Sequence, residues 1–236
     1  TGILLNKMYN SHGILAFKQT DTGEVQYLVT QRRDSFAFIQ LLRFFHKWCD
    51  KEVRDKLSEI TQQEASRLFL FSFDDIWEDL YLDKINKTFI TERHRARQNF
   101  NELKSRYSSE IQSKKTSICE WGIPKGRRKP RETGFNCAYR EWYEETTIET
   151  EKLSIINTKP FYYHLDYGER HVCVECWLSR ISPTTLPEQT TSVRSYVSEE
   201  VGRLEWRSLT SLENILPDSI FDMLVGVEDF VVEHLV

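Results

Sequence analysis

The segment from residue 126 to residue 148 constrains this chain more than any other part of it. Its sequence is GRRKPRETGFNCAYREWYEETTI, and it places Glu141, Glu144 and Glu145 within about one helical turn. Residues i, i+3 and i+4 of a helix share one face, where three carboxylates repel each other. A divalent cation removes that repulsion, and Mg²⁺ and Mn²⁺ prefer oxygen ligands. The spacing therefore predicts a helix that binds a divalent metal ion, with an acidic solvated helix face as the alternative.

The other positions of this segment also indicate a helix. Thr133 is a favoured N-cap residue at its start. Arg140 lies beside the acidic face, where its guanidinium group can form a forked ion pair with Glu132 and hold the preceding loop against the helix. Apolar residues recur at intervals of three and four and predict a buried stripe. These residues are Phe135, Ala138, Tyr139 and Trp142.

The whole segment resembles the signature of the Nudix hydrolases, G-x5-E-x7-R-E-U-x-E-E-x-G-U, in which U is a bulky aliphatic residue. The match extends from Gly126 to Glu145, and Ile148 fits the last U. Trp142 replaces the first aliphatic residue, and Thr147 replaces the second glycine. Because a β-branched residue poorly tolerates the positive φ that glycine allows, Thr147 puts the geometry of the loop after the helix in question. The resemblance implies a metal-dependent pyrophosphatase with an α/β fold, the α/β/α sandwich of a mixed sheet between helices.

Patterns elsewhere in the chain suit that fold. The chain has 236 residues, of which 39% are hydrophobic, so it can bury a substantial core. Strand-like runs occur at 11–33 and near 161–165, 172–177 and 201–206, and an amphipathic helix follows Pro217. Residues 40–117 contain neither Gly nor Pro and have helical periodicity. We therefore expect a Nudix domain formed by 1–39 and 118–236, with a helical insertion at 40–117.

A local run of basic residues lies in the expected insertion. The net charge of −4 excludes a basic field over the whole molecule, so contact with nucleic acid has to come from such a local run. RNA is bound largely through phosphate contacts, which these side chains could make. A solvated helix face is the alternative. The basic residues are Lys84, Lys87, Arg93, Arg95, Arg97, Lys104 and Arg106.

The cysteines and the hydropathy pattern suggest a reducing compartment. Five cysteines without regular spacing do not form a disulfide framework. Cys173 and Cys176 lie in a strand-like run without a second suitably spaced pair, so we expect them to serve packing. Neither a signal peptide nor an apolar run of membrane-spanning length is present, which predicts a cytoplasmic protein without membrane contact. The chain begins at Thr1 and not at Met, as a fragment of a longer protein would.

Two further segments resemble the mRNA-decapping Nudix enzymes of large DNA viruses. RRDSFAF at 32–38 is similar to a motif of the poxvirus enzymes. LFLFSFDDIWEDLY and WGIPKGR are similar to the enzymes of African swine fever virus and mimivirus, and the mimivirus type fits best. This resemblance implies that the chain removes the 5′ cap of mRNA, releasing m7GDP and 5′-monophosphate RNA, in the host cytoplasm or a viral factory. Capped RNA is then the partner, and no protein partner is predicted.

Two other functions stay open. The substrate could be a dinucleoside polyphosphate, a nucleotide or a diphosphoinositol polyphosphate, none of which needs an RNA-binding insertion. The chain could also be a non-catalytic module that binds caps or RNA, although every carboxylate of the signature is present.

The resemblance assigns roles to residues of the signature and to one acid outside it. Mg²⁺ or Mn²⁺ would be bound by Glu141, Glu144 and Glu145 and by the carbonyl group of Gly126. Glu144 and Glu145 are also the candidate catalytic residues, together with Arg140. Glu200 precedes a strand, as an acidic residue does in the decapping enzymes, and is the candidate general base, with Glu199 as the alternative.

The cap would need its own binding residues. A methylated guanine is cationic and electron-poor, and two aromatic rings can hold it between them. Phe36 matches the position of such a ring in the poxvirus enzymes, although it could also be a core residue. His171 is the candidate for the opposite wall, with Tyr163 and Tyr167 nearby. Lys125 and Arg127, which flank the glycine, are the candidates for contacting the phosphates.

Overall fold

The chain divides into two compact units in a computed structural model, which describes residues 8–81, 87–112, 118–157, 159–167, 170–182 and 200–235. The first unit comprises Thr1–Gln31 and Trp121–Val236, and the second comprises Arg32–Glu120. The second unit extends beyond the expected insertion at both ends, because it includes the RRDSFAF segment at 32–38 and residues 118–120. Its Ser35 caps a helix that begins at the next residue, so the chain has left the sheet before residue 39.

The strands of the first unit form one mixed sheet. In chain order they are β1 (Met8–Gln19), β2 (Val25–Arg32), β3 (Trp121–Gly122), β4 (Lys125–Arg127), β5 (Ser154–Ile155), β6 (Phe161–Tyr167), β7 (Arg170–Arg180) and β8 (Val201–Ser208). The sheet has the order β3–β2–β1–β7–β5, with β4 on β1, β6 on β7 and β8 on β2. β1 and β7 are parallel, whereas the β1–β2, β1–β4 and β6–β7 pairs are antiparallel.

Helices surround this sheet or form the second unit. In chain order they are α1 (Phe36–Phe44), α2 (Asp50–Glu59), α3 (Gln62–Leu70), α4 (Phe73–Tyr81), α5 (Lys87–Arg106), α6 (Ser108–Gln112), α7 (Gly134–Thr146), α8 (Leu209–Leu212) and α9 (Asp218–Leu235). None of those in the described part of the chain combines the length and the apolar character that crossing a membrane requires.

Two separate apolar layers lie on the two faces of the sheet. On one face, α9 contributes Leu224, Val227 and Val231 to a core shared with the strands. On the other face, α7 contributes Ala138 and Trp142, which are fully buried. Strand side chains alternate between the two faces, so each strand supplies both layers. The α/β/α sandwich predicted from the sequence is confirmed.

The second unit is helical and has a core of its own. Polar residues of the RRDSFAF segment fix its first helix. Ser35 accepts a hydrogen bond from the backbone N–H of Phe38, and the buried carboxylate of Glu64 accepts hydrogen bonds from both the N–H and the hydroxyl group of Ser35, at 2.5 and 2.9 Å. Asp34, which is also buried, pairs with Arg33 and Arg67. Burial of these carboxylates is offset because each is paired or hydrogen-bonded.

The helix predicted between Glu132 and Thr147 is present as α7. The Thr133 hydroxyl accepts a hydrogen bond from the N–H of Asn136 and caps its first turn. Trp142 does more than fill the place of an aliphatic residue, because its indole N–H donates to the carbonyl oxygen of Ile148 at 2.9 Å. Phe135 is an exception to the expected buried stripe. It lies in the first turn, above Trp177, and is 38% exposed.

Thr147 takes the left-handed conformation at the end of α7, with φ 58° and ψ 4°. Its N–H donates to the carbonyl oxygen of Tyr143 at 3.0 Å. The helix therefore ends in the left-handed turn that glycine usually forms at this position of the signature. Threonine adopts the same backbone path, but an L-residue pays a conformational cost for the positive φ. The hydroxyl group of Thr147 donates to the carbonyl oxygen of Thr146, which offsets part of that cost.

The cysteines do not form a redox or metal pair. Cys173 and Cys176 are three residues apart on β7, so their side chains point to opposite faces of the sheet. Cys176 is fully buried in the core beside α9, and all five cysteines are free thiols. Cys176 thus serves packing as predicted, whereas Cys173 is half-buried.

Replacing Thr147 by glycine should raise the free energy of unfolding by roughly 1 kcal/mol. The left-handed conformation costs an L-residue about 1–2 kcal/mol, and the greater freedom of glycine in the unfolded chain returns part of that gain. Urea denaturation measures the difference. Thr210→Gly is the matched control, because Thr210 is exposed and has a negative φ, and it should destabilise the protein. Equal effects of the two variants would contradict the strain at Thr147.

Candidate active site

Arg140 connects the helix α7 to the loop that precedes it. Its Nε and Nη2 atoms donate to the two carboxylate oxygens of Glu132 at 2.9 and 3.0 Å, which confirms the predicted forked ion pair. Its Nη1 atom donates to Glu141 at 2.6 Å and to Glu144 at 2.9 Å. Nη2 also reaches the carbonyl oxygen of Arg127 at 3.0 Å. One guanidinium group thus fixes three carboxylates and a strand end.

The loop from residue 128 to residue 133 closes on the same side chains. The backbone N–H of Lys129 donates to Glu132 at 2.8 Å, and its ammonium group pairs with Glu144 at 3.2 Å. Hydrogen bonds from Arg140, and next that from Lys129, lower the pKa of Glu132 to about 2. The same partner, Glu132, raises the pKa of Arg140. Glu132 therefore stays ionised and keeps its structural role over the whole physiological pH range.

Gly126 leaves room for the carboxylate group of Glu141. A Cβ atom at residue 126 would overlap the Cδ and both oxygen atoms of that carboxylate. The adjacent backbone N–H of Lys125 donates to Glu145 at 3.2 Å. The carbonyl oxygen of Gly126 accepts a weak hydrogen bond from the thiol of Cys137 at 3.5 Å. Strand β4 and helix α7 therefore bring the glycine and two of the predicted metal ligands together.

Carboxylates accumulate on this face of α7 beyond what the local cations neutralise. Burial raises the pKa of Glu145 to about 8; Lys125 opposes this rise, and the charges of Glu200 and Glu141 add to it. Burial also raises the pKa of Glu141, against the hydrogen bond from Arg140. The charge of Glu200 acts on both groups, so the structure places Glu200 near them. Glu199 lies outside the described residues.

This donor set fits a divalent cation. The charge of Glu200 raises the cost of ionising both Glu141 and Glu145, and a cation beside these two carboxylates would remove that cost. The available donors are carboxylate oxygens and a backbone carbonyl oxygen, which are the ligands of Mg²⁺ and Mn²⁺. The described residues nevertheless hold no group of three His, Cys, Asp or Glu side chains already arranged around a metal position. Arg140 holds Glu141 and Glu144 instead, so these two carboxylates would turn from Arg140 toward a bound cation.

Comparison with known proteins decides the family. The NUDIX domain family matches residues 105–222, which is half of the chain and includes the whole segment from Gly126 to Ile148. The chain belongs to the Nudix family. Among solved structures, an Ap4A hydrolase of C. elegans in a binary complex has the same fold, with a TM-score of 0.53 and 13% identity, covering 95% of this chain and 98% of that one.

Curated relatives are viral proteins named for mRNA decapping. The mRNA-decapping protein g5R from a Kenyan isolate of African swine fever virus is 25% identical over 148 residues, which cover 58% of each chain. The same protein from a Namibian isolate is 24% identical over 143 residues, with the same coverage. The chain thus matches 58% of the length of these relatives. This similarity supports the viral decapping branch, and the mimivirus type stays a prediction.

A buried histidine, which sequence analysis did not single out, supports the start of the Nudix helix. His12 on β1 is 2% exposed, and its Nδ1 atom lies 3.0 Å from the carboxylate of Glu175 on β7. The two residues are paired in the parallel register. Gly134 packs on the imidazole, since a Cβ atom there would lie 2.7 Å from Nδ1. Burial lowers the pKa of His12, and Glu175 opposes this. Only the strand register could have indicated this contact.

The residues predicted to bind the phosphates lie beside the Nudix helix. Arg127 is exposed at the end of β4, where its carbonyl oxygen is fixed by Arg140. Lys125 is half-buried, and its charge opposes the rise in the pKa of Glu145. Both positions therefore lie next to the candidate metal ligands.

The predicted cap-binding residues lie in different environments. Phe36 is the first residue of α1 in the helical unit, half-buried, with the guanidinium group of Arg32 at 4.0 Å from its ring centre. His171, at the start of β7, is hydrogen-bonded through Nδ1 to Asp166 of β6. Tyr163 is 3% exposed and belongs to the core under α9, so it cannot be a pocket wall. The side chain of Tyr167 lies outside the described part of the structure.

Replacing Gly126 by alanine should destabilise the protein and displace Glu141. The new methyl group would occupy the space of a carboxylate that is also held by Arg140, so overpacking should cost about 1–3 kcal/mol. Thermal unfolding and the affinity for Mn²⁺ measure the two effects. Gly122→Ala is the control, because a Cβ atom there meets nothing within 4 Å. Identical behaviour of both variants would contradict the contact between Gly126 and Glu141.

The elevated pKa of Glu145 predicts how stability depends on pH. Its pKa is about 8 in the folded chain and near the ordinary glutamate value in the unfolded chain, so the folded state binds more protons between these values. In the presence of a chelator, wild-type stability should therefore fall between about pH 5 and pH 8, by up to ~1.4 kcal/mol per pH unit. Glu145→Gln should lack this loss. Denaturation at several pH values tests the point, and parallel pH profiles of the two proteins would contradict it.

Proposed function

We propose that this Nudix protein is a metal-dependent hydrolase that removes the 5′ cap of mRNA and releases m7GDP and 5′-monophosphate RNA. The observation that carries the proposal is the similarity to g5R, together with a Nudix helix whose Glu141 packs against Gly126. The name of that relative describes the relative and not this chain, and the similarity covers 58% of each of the two chains. We therefore infer the activity, the substrate and the place of action of this chain as one proposal. The cytoplasm is the proposed place of action because the proposed substrate is capped RNA.

The acidic face of α7 would position the phosphates. Glu141, Glu144, Glu145 and the carbonyl oxygen of Gly126 would hold Mg²⁺ or Mn²⁺, whose positive charge polarises a phosphoanhydride and makes water a better nucleophile. Lys125 and Arg127 would add positive charge where the bridging phosphates develop negative charge during hydrolysis. Arg140 acts through its neighbours, because it fixes Glu132 and sets the position of Glu141 and Glu144.

Glu200 is the candidate general base. It is exposed, and its charge is felt by both Glu141 and Glu145, which supports a position beside the reacting phosphates. Its carboxylate would accept a proton from the attacking water molecule. The oxygen atom of that water forms a bond to a phosphorus atom of the triphosphate bridge, and the bond from that phosphorus to the bridging oxygen breaks. The two products together contain all the atoms of the capped RNA and of one water molecule.

Phe36 in the helical unit is one candidate for contacting the methylated guanine, and His171 in the sheet unit is another. The guanidinium group of Arg32 lies over the ring of Phe36. An aromatic face that contacts a planar cation also suits a cationic base. His171 lies at the start of β7, hydrogen-bonded to Asp166, and its imidazole is the ring that would stack on the base. Both assignments rest on the resemblance to decapping enzymes.

Cap-labelled RNA incubated with the protein and Mn²⁺ should release labelled m7GDP. Chelation of the metal should abolish this release. Glu144→Gln and Glu145→Gln should each reduce the rate by roughly 10²-fold or more, the scale on which a preorganised site loses one charged group. Glu149→Gln is the control, because Glu149 is exposed just beyond α7 and outside the signature. Undiminished release by either of the first two variants would contradict their roles.

The same assay separates the alternatives. Hydrolysis of dinucleoside polyphosphates or diphosphoinositol polyphosphates without release from capped RNA would identify a small-molecule pyrophosphatase. Cap binding without hydrolysis in Mn²⁺ would identify a non-catalytic module. Competition experiments identify the part of the substrate that the protein recognises. If uncapped RNA inhibits strongly and a free cap analogue inhibits weakly, contacts with the RNA body dominate binding.

A further inference from the structure

A basic pocket lies in the helical unit, at the end of α1 beside α5. Its volume is about 80 Å³, several times the ~10–15 Å³ that one water molecule needs by the same measure. All of its residues belong to Arg32–Glu120, so the pocket is complete within this unit. The residues that form it include Arg43, Phe44, His46, Lys47, Glu92 and Arg95.

Positive charge in this pocket exceeds negative charge. Glu92 is its single carboxylate among the lining residues, and both of its oxygens accept from Nη2 of Arg43 at 3.0 Å. The Nε atom of Arg43 is buried and has no hydrogen-bond partner among the described residues. Within the described part of the chain, Lys47 and Arg95 have no carboxylate within 4.0 Å. The pocket therefore offers several N–H donors that no acceptor among the described residues uses.

Other cations on α5 differ in this respect. Arg93 and Arg97 both donate to Asp74 on α4, so that carboxylate holds both side chains. Arg106 pairs with Asp50 at 2.5 Å and with Glu102 at 2.7 Å. Three members of the basic run, Arg93, Arg97 and Arg106, are thus neutralised by acids of α2, α4 and α5. Arg95 is the arginine of α5 that turns to the pocket.

An aromatic ring holds the rim of the pocket in place. The guanidinium group of Arg43 lies 5.3 Å from the ring centre of Phe44, and the ammonium group of Lys47 lies 5.2 Å from it. Cation–π attraction of this kind restrains long side chains that would otherwise be mobile in water. Two cations are therefore positioned before any ligand arrives, which lowers the entropic cost of binding an anion.

We propose that this pocket binds a phosphate group of the RNA chain. A net charge of −4 gives the whole protein no attraction for a polyanion, so RNA affinity has to come from a local cluster of unneutralised cations. Guanidinium and ammonium donors around a small cavity suit a phosphate oxygen cluster. The choice of RNA as the source of that phosphate rests on the proposed function.

Charge reversal at the exposed rim tests the proposal. Lys47→Glu combined with Arg95→Glu should weaken binding of a 5′-monophosphate single-stranded RNA by about tenfold or more. The plot of log affinity against log salt concentration should become shallower by about 0.7, the change expected for one lost phosphate contact on a single strand. Lys51→Glu with Lys56→Glu on α2 is the control, because it changes the net charge equally away from the pocket. Fluorescence anisotropy in a chelating buffer measures affinity without hydrolysis.

The outcomes separate this inference from the proposed function. Equal affinities and salt slopes for the two double variants would overturn the pocket, even if capped RNA is hydrolysed. Loss of inorganic tripolyphosphate binding with unchanged RNA binding would overturn RNA as the ligand. A selective loss of RNA affinity in the pocket variant supports the inference whether or not caps are cleaved. Circular dichroism shows that both variants are folded, and Lys47→Arg with Arg95→Lys should retain wild-type affinity.

Discussion

The contact on which this Nudix site depends is the one between Arg140 and the carboxylates around it. Three acids and a strand carbonyl converge on one guanidinium group, so the loop, the helix and β4 keep a fixed geometry. Glu132 remains ionised over a wide pH range as a consequence. Arg140 is thus a positioning residue. Its loss would release the carboxylates from their positions, and any effect on the reaction would follow from that displacement.

Around this clamp, the site stores unfavourable electrostatic energy. Glu145 is half-buried and accepts a hydrogen bond from the N–H of Lys125; its removal from water, and then the charges of Glu200 and Glu141, raise its pKa to about 8. Such a group destabilises the fold when it ionises, and a bound cation would reverse the effect. Stability and function therefore oppose each other at this residue. Gly126 is part of the same arrangement, because any larger residue would displace Glu141.

The charged residues of the helical unit form two groups: those that pair with other residues of the unit, and those without a carboxylate partner among the described residues. Asp34, Glu64 and Asp74 neutralise arginines or cap helices, and these contacts hold the unit together. Lys47 and Arg95 are left for an outside anion. RRDSFAF, which resembles a substrate-binding motif, serves the first purpose through Asp34 and Ser35, while Phe36 keeps its aromatic face beside Arg32. The polar residues of this motif are therefore structural, and its first aromatic residue contacts a guanidinium group.

Local spacing determined the helix α7, its acidic face and its Thr133 cap, because residues one turn apart must meet on a helix. The fork between Arg140 and Glu132 joins the helix to the preceding loop and was anticipated from the geometry of a guanidinium–carboxylate pair. Local spacing also determined the layered α/β fold through periodicities of two and 3.6 residues. Tertiary structure decided what depends on distant partners: Tyr163 facing the core, Thr147 keeping the left-handed turn, and Arg93 and Arg97 being neutralised by Asp74. The pairing of His12 with Glu175 was set only by strand register, since residues far apart in sequence become neighbours through the sheet.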